Sequence, residues 1–294
     1  MLSECVEGLN IKPEGIYADV TFGGGGHSHE ILKYLSTGHL YAFDQDEDAR
    51  EQSLHLASPN FTFIRANFRN IRKYLKVYGV SKLDGILADL GISSHQIDTA
   101  ERGFSTRFEG ELDMRMNTTA GITAQEVVNT ESEQELHKIF GMYGELKNAR
   151  SVARNIVNAR ASAPVVTISD LKSVLTPLAP RGRENKFFAQ VFQALRIVVN
   201  DEMAALEEFL LQVPELLNPG GRLVVMAYHS LEDRPVKNFI RSGKFYGEAE
   251  KDIFGNELKP LQAVTRKAVE ARAEEIALNP RARSARLRIA EKPA

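Results

Sequence analysis

Asp19-Val-Thr-Phe-Gly-Gly-Gly-Gly-His-Ser28 decides the fold. The stretch ends a short apolar run, Ile16 to Phe22, and precedes a segment in which Ile31, Leu32 and Leu35 share one helical face. It therefore reads as the turn of a βα unit. Working outward, His39 to Asp44, Phe61 to Arg65 and Leu83 to Leu90 are further apolar runs of strand length, with helical spacing between them. Such alternation predicts a parallel sheet covered on both faces. The rhythm returns late in the chain: Phe192 to Leu217 reads as one long helix, Asn218-Pro-Gly-Gly221 as a turn, Arg222 to Tyr228 as a buried strand and Arg286 to Ala290 as the last strand. Residues from about 105 to 190 break the pattern with helical spacings such as Glu131 to Tyr143 and Leu146 to Arg160, and read as an inserted helical subdomain.

Composition narrows the function classes. Thirty-seven basic against thirty-nine acidic residues leave a net charge of -2, so bulk charge does not mark a nucleic-acid binder. Local charge does. Between Lys147 and Arg196 there are nine Lys or Arg (147, 150, 154, 160, 172, 181, 183, 186, 196) against Asp170 and Glu184, and the tail adds Arg281, Arg283, Arg286 and Arg288. Two basic regions on a neutral chain point to phosphate contacts, and no DNA partner is expected. The single cysteine, Cys5, excludes an internal disulfide and any multi-cysteine zinc site, as suits a reducing compartment. No apolar run approaches the roughly 18 residues of a membrane span and no signal peptide is legible, so the expectation is a cytoplasmic protein without a membrane partner.

Two cofactor classes compete for the glycine loop. Four consecutive glycines allow close backbone approach and expose amides at a helix N-terminus. A dinucleotide fingerprint needs G-x-G-x-x-G, but Ser28 stands where its third glycine belongs. A loop for S-adenosylmethionine, with an acid at the strand end and small residues at alternate positions, is met by Asp19, Thr21, Gly23 and Gly25. Asp44, at the next strand tip, is placed to accept both hydroxyls of an adenosine ribose in either class. His27 and His29 form an H-x-H pair without a third ligand nearby, and no metal is expected.

The fourth apolar run continues into Asp84-Gly-Ile-Leu-Ala-Asp-Leu-Gly-Ile-Ser-Ser-His-Gln96. Ligands of open α/β sheets sit beyond the strand C-termini, which puts Asp89, Leu90 and Gly91 at the reacting centre. An exocyclic base amine is a poor nucleophile because its lone pair is delocalised into the ring. A carboxylate and a backbone carbonyl accepting its N–H groups favour the pyramidal form that attacks a sulfonium methyl, and Asp89 with the Leu90 carbonyl can serve. Equally, Asp89 can bind the cofactor's charged amino-acid end. In Met226-Ala-Tyr-His-Ser-Leu-Glu-Asp-Arg-Pro235, Ser230 and Asp233 read as a capping box and Pro235 as a first-turn proline. Tyr228 and His229 are then candidates to stack on or hydrogen-bond a flipped base, and Arg234 to reach a phosphate.

These residues, with Arg102-Gly-Phe-Ser105, Leu112-Asp-Met-Arg-Met116, Tyr143-Gly-Glu145, Phe192-Gln-Ala-Leu-Arg-Ile197, Asn200-Asp-Glu202, His229 to Arg234 and Asn279-Pro-Arg-Ala-Arg-Ser-Ala285, match one family in order and spacing. The chain resembles the bacterial RsmH (MraW) ribosomal RNA methyltransferases over nearly its whole length. The resemblance implies a Rossmann-like α/β methyltransferase, a seven-stranded, mostly parallel sheet over 1–104 and 191–294, interrupted by a helical subdomain at 105–190 that would bind RNA. It implies methyl transfer from S-adenosylmethionine to N4 of a cytidine in the decoding region of small-subunit (16S) ribosomal RNA, free or in the assembled subunit. It places cofactor contacts on Gly25, Gly26, His27, Asp44, Phe68, Asp89 and Gln96, with Phe68 packing on the adenine. Asp89, Tyr228 and His229 become the catalytic candidates, and Arg234, Arg181, Arg183, Lys186, Arg281 and Arg283 the RNA contacts.

Three departures stand out. The family's short His-x-Pro-Val-Leu stretch does not precede Ser3. Glu184 to Val191 replaces a His-Pro-Ala-Thr-Arg segment, and Met226-Ala-Tyr228 replaces Ile-Ser-Phe. Asp113 and Arg115 receive no role from sequence. Rival readings are a non-catalytic RNA-binding or assembly factor on the same scaffold and an NAD-dependent dehydrogenase.

Overall fold

In the computed structural model, which describes residues 1–294, α1 (Leu2–Leu9) is followed by β1 (Ile16–Asp19), α2 (Gly26–Leu32), β2 (His39–Asp44), α3 (Glu47–Ser53), β3 (Phe61–Arg65), α4 (Ile71–Val77) and β4 (Leu83–Asp89). Six helices come next: α5 (Ser94–Asp98), α6 (Ala124–Thr130), α7 (Glu133–Met142), α8 (Ala149–Arg160), α9 (Ile168–Leu175) and α10 (Glu184–Val199). The chain ends with α11 (Glu202–Leu216), β5 (Leu217–Ala227), α12 (Ser230–Ser242), β6 (Gln262–Ala263), β7 (Val269–Glu270), α13 (Ala273–Leu278) and β8 (Arg286–Glu291). No helix is long and apolar enough to cross a membrane.

Two compact units emerge, Met1–Gly91 with Met203–Ala294, and Ile92–Glu202. The first is the sheet unit. Its strands run in the order β3-β2-β1-β4-β5-β8-β6, with β7 also paired to β8; β1 to β5 pair in parallel and β8 runs antiparallel to β5. Alternate residues serve opposite faces, as the strand period requires. Ile86 and Ala88 of β4, with Leu223 and Val225 of β5, join Phe209 and Phe239 in one cluster, while Leu87 and Val224 join Tyr17, Leu40 and Leu9 in another.

Three expectations need correction here. Eight strands form, not seven, because the last edge strand is split. Gln262↔Glu291 and Ala263↔Ala290 pair at one end of β8 and Val269↔Leu287 and Glu270↔Arg286 at the other, so residues 264–268 face only Arg288 and Ile289 and the excess loops out. The long helix breaks into α10 and α11 at Asn200 and Asp201, whose left-handed φ of 49° cannot continue a helix. Asn218 to Gly221 belongs to β5 as a bulge rather than a separate turn: Leu217 pairs with Leu83 and Arg222 with Gly85, and Asn218 Nδ2 donates to Asp84 Oδ1 at 3.2 Å.

The helical unit starts earlier and ends later than 105–190. Hydrogen bonds explain why. Arg102 Nη2 donates to the carbonyls of Arg115 (3.0 Å) and Met116 (3.2 Å), Asn200 Nδ2 donates to Met114 O (2.8 Å), and Asn200 Oδ1 accepts from Met116 N (2.7 Å). Leu112 to Met116 thus has a structural task. Met114 is fully buried at φ 61°, and Arg115 folds back on Asp113 through two bonds of 2.9 and 2.7 Å.

Candidate active site

The glycine loop is organised from beneath by Asp19. Fully buried at the end of β1, its carboxylate accepts Ser28 Oγ–H at 2.7 Å and Thr21 N–H at 3.2 Å. Burial nevertheless pushes Asp19 up to about 6. Ser28 is therefore a hydrogen-bond partner of the strand, a task that the third glycine of a dinucleotide loop cannot perform. Gly25 caps α2 at φ 77° and donates its N–H to Phe22 O at 2.8 Å. A Cβ there would lie 2.7 Å from the Phe22 ring and 3.1 Å from Leu56, whereas around Gly24 and Gly26 the space is open. The loop is thus pinned at alternate residues and accessible between them.

Asp44, at the end of β2, accepts Gly23 N–H at 2.8 Å and Asp46 N–H at 3.0 Å, and burial pushes it up to about 6. Each carboxylate oxygen can accept a further donor. Phe68 stands just after β3 in the Phe68–Asn70 turn, half-buried, with its ring edge-on to Phe209 at 5.4 Å between centroids. The same strand ends are tied together by Ala66 N–H donating to Asp44 O at 2.8 Å and Asn67 Nδ2 to Gln45 Oε1 at 3.0 Å.

Asp89 ends β4. Its N–H donates to Thr21 Oγ1 at 2.6 Å, its Oδ2 lies 3.7 Å from His27 Nδ1, and the Tyr228 hydroxyl donates to its carboxylate. Burial pushes Asp89 up to about 6, opposed by His27 and Tyr228. Burial likewise lowers His27 and, with Asp89 beside it, raises the Tyr228 hydroxyl far above its ordinary range. Asp89 Oδ1 and His27 Nε2 are buried without a hydrogen-bond partner, an arrangement that costs free energy unless a ligand completes it.

Glu232 was not singled out by sequence. Buried at 3% exposure in the first turn of α12, it accepts Tyr228 N–H on Oε2 at 2.9 Å, while its Oε1 lies 2.8 Å from His229 Nε2. Its position three residues after His229, at a strand-to-helix turn, is the signal available in the sequence. The Ser230/Asp233 capping box does not form: His229 is the N-cap of α12 and makes no side-chain cap bond. Asp233 instead holds Arg288 at 2.6 and 2.9 Å, which removes Arg288 from the phosphate contacts. Pro235 lies in the second turn of α12 rather than the first, because the helix already begins at Ser230.

The structure therefore gathers Gly25, Gly26, His27, Asp44, Phe68, Asp89, Tyr228 and His229 along the C-terminal ends of β1 to β5 in the sheet unit. Gln96 belongs to the helical unit, where it is buried and closes a capping box with Ser93 at 3.0 and 3.2 Å. Arg181, Arg183 and Lys186 are exposed at the start of α10, Arg234 is exposed on α12, and Arg281 and Arg283 are exposed in the Pro280–Ser284 turn. Within the longer basic stretch, Arg196 is buried against Glu202 and Arg160 donates to Val128 O, so those two serve the fold.

The model of the MraW methylase family matches residues 1–293. The chain belongs to that family. It is 58% identical over 292 residues to the ribosomal RNA small subunit methyltransferase H of Cytophaga hutchinsonii, covering 99% of this chain and 98% of the relative. The protein of the same name from Phocaeicola vulgatus is 57% identical over 293 residues, covering 99% and 96%. The chain is thus a methylase, and the dehydrogenase and non-catalytic readings fall away. The donor set fits S-adenosylmethionine: open loop glycines, the Asp44 carboxylate and the unpartnered His27 Nε2 are what an adenosyl ligand with a charged amino-acid end would engage.

Proposed function

We propose that this methylase transfers a methyl group from S-adenosylmethionine to the exocyclic N4 of a cytidine in the decoding region of small-subunit ribosomal RNA. The observation that carries the reading is the carboxylate of Asp89, bonded by Tyr228 and retaining one oxygen without a partner, at the end of the strand next to the glycine loop. The names of the curated relatives support ribosomal RNA as the substrate class. When bound, the cofactor supplies an electrophilic sulfonium methyl, so the protein's task is to align the amine and keep water away.

The glycine loop amides take the amino-acid end of the cofactor, Asp44 takes the ribose and Phe68 packs on the adenine. Asp89, fixed by Tyr228, accepts one N–H of the cytosine amine; the Leu90 carbonyl or His229 accepts the other. Two acceptors on one amine oppose its delocalisation into the ring and favour the geometry that attacks. The proton shed by the methylated amine passes to water. Exposed Arg181, Arg183, Lys186, Arg234, Arg281 and Arg283 supply phosphate contacts.

The deciding experiment is methylation of purified small subunits lacking the modification, followed by digestion and mass spectrometry of the nucleosides. N4-methylcytidine is the expected product; transfer to another atom or base overturns the reading. Substituting His229 by Ala is expected to lower transfer by about 10²-fold with cofactor affinity unchanged, measured by calorimetry beside the rate. Equal loss of both would remove His229 from the substrate side. Replacing Arg181, Arg183 and Lys186 together by Ala should raise the KM for the subunit and flatten the log-log salt dependence of binding by about 2, from three lost contacts.

Acidity gives a further check. Asp19, Asp44 and Asp89 are each pushed up to about 6 by burial. A raised carboxyl favours the neutral form in the folded protein, so its stabilising effect is present below about pH 4 and disappears as pH rises to about 6. A net cationic ligand favours the ionised forms. Cofactor Kd should therefore rise by about tenfold on going from about pH 7 to pH 5, with protons released on binding near pH 6; a flat profile would mean that none of these carboxylates faces the ligand's charge.

A further inference from the structure

Glu232 has no assigned part in the reaction, yet its two oxygens meet the two residues that the proposed chemistry needs at the tip of β5. A carboxylate only accepts. With Oε1 at 2.8 Å from His229 Nε2, that nitrogen carries a proton, and in the Nε2–H tautomer Nδ1 is the acceptor of the ring. The other oxygen fixes the backbone where Tyr228 and His229 leave the strand, at 2.9 Å from Tyr228 N. Gly91, the residue after Leu90, has the Tyr228 ring and Glu232 Oε1 at 3.7 and 3.9 Å from where a Cβ would stand. Glu232 thus lies within the same strand-end cluster as Asp89, and not on a remote helix face.

We infer that Glu232 is a positioning residue that holds His229 in the Nε2–H tautomer, so that Nδ1 is the second acceptor, beside Asp89, for the substrate amine. This rests on the reading of cytosine N4 as the methyl acceptor. It also makes the pair a specificity device. Cytosine offers an N4–H₂ donor where a uracil offers an O4 acceptor. Two acceptors fixed at that point receive the first and repel the second, and the tautomer set by Glu232 decides the sign of one of them.

Glu232→Gln tests this with little change of volume. A glutamine has one acceptor oxygen, which Tyr228 N–H takes; its amide N–H₂ then faces His229 Nε2 and turns that nitrogen into an acceptor, moving the ring proton to Nδ1. Nitrogen-15 spectra of histidine-labelled protein, with His229→Asn to assign the signal among the seven histidines, are expected to show a protonated Nε2 in the wild type and a protonated Nδ1 in the variant. Turnover of small subunits should fall by about 10²-fold while cofactor Kd stays within about twofold. A wild-type ring protonated on Nδ1, an unchanged tautomer in the variant, or an inverted tautomer with turnover within about threefold of wild type each overturns the inference. If wild-type protein yields a product other than N4-methylcytidine, the proposed function fails instead, and the tautomer measurement still reports on Glu232 separately.

Discussion

Replacing Asp89 by Asn is expected to lower methyl transfer by on the order of 10³-fold. The loss should fall on kcat, with cofactor Kd rising by less than about tenfold. The physical ground is the local donor-acceptor balance. Asp89 receives the Tyr228 hydroxyl and keeps Oδ1 without a partner. An asparagine keeps one acceptor oxygen, which the tyrosine takes, and turns an amide N–H₂ toward a substrate amine that itself only donates. Donor then faces donor in a buried place, where an unmet polar group costs about 1–3 kcal/mol in addition to the lost interaction. Single-turnover rates and calorimetric Kd on the same preparation separate the two parts. Should Kd rise by the full factor with kcat intact, Asp89 binds the ammonium end of the cofactor and the amine is held elsewhere.

Gly25→Val is expected to abolish measurable cofactor binding, a rise in Kd of at least about 10²-fold, while leaving the sheet folded. At φ 77° a β-branched residue is strained by about 1–3 kcal/mol. Its Cβ would also stand 2.7 Å from the Phe22 ring, which is packed edge-on against Phe63. The ring has nowhere to go, so the loop must move, and with it the amides that begin α2. Thermal denaturation should show a lower Tm with a single transition. Wild-type affinity in the variant would mean that the loop amides do not hold the ligand.

The sheet was largely legible because its strands are continuous apolar runs, a pattern dictated by burial on both faces; β2 and β3 fall on the expected residues. What escaped were features set by tertiary partners. The helical spacing on both flanks of Phe192 to Leu217 hides the left-handed turn at Asp201, because Asn200 is committed to the Met114 carbonyl and the Met116 N–H, both far away in sequence. Ser230 and Asp233 have the spacing of a capping box, but Arg288, far along the chain, claims Asp233. Within the site, Asp44 and Asp89 were identifiable as acids at strand tips. Glu232 was not, because its importance lies in the distances from its two oxygens to neighbours, and a sequence states only that it follows His229 by three.

Arg102 and Asn200, near the two ends of the helical unit, are bonded to the same few residues, Met114 to Met116. A long excursion tied off in this way behaves toward the chain that carries it as a short tether. An open loop of comparable length would burden its host with closure entropy of roughly 4 kcal/mol, growing with every added residue. Here that penalty is met inside the excursion by its own knot of polar bonds. A change of length or surface in the outer helices then leaves the two points at which the excursion is tied, and the strand order beyond them, where they are.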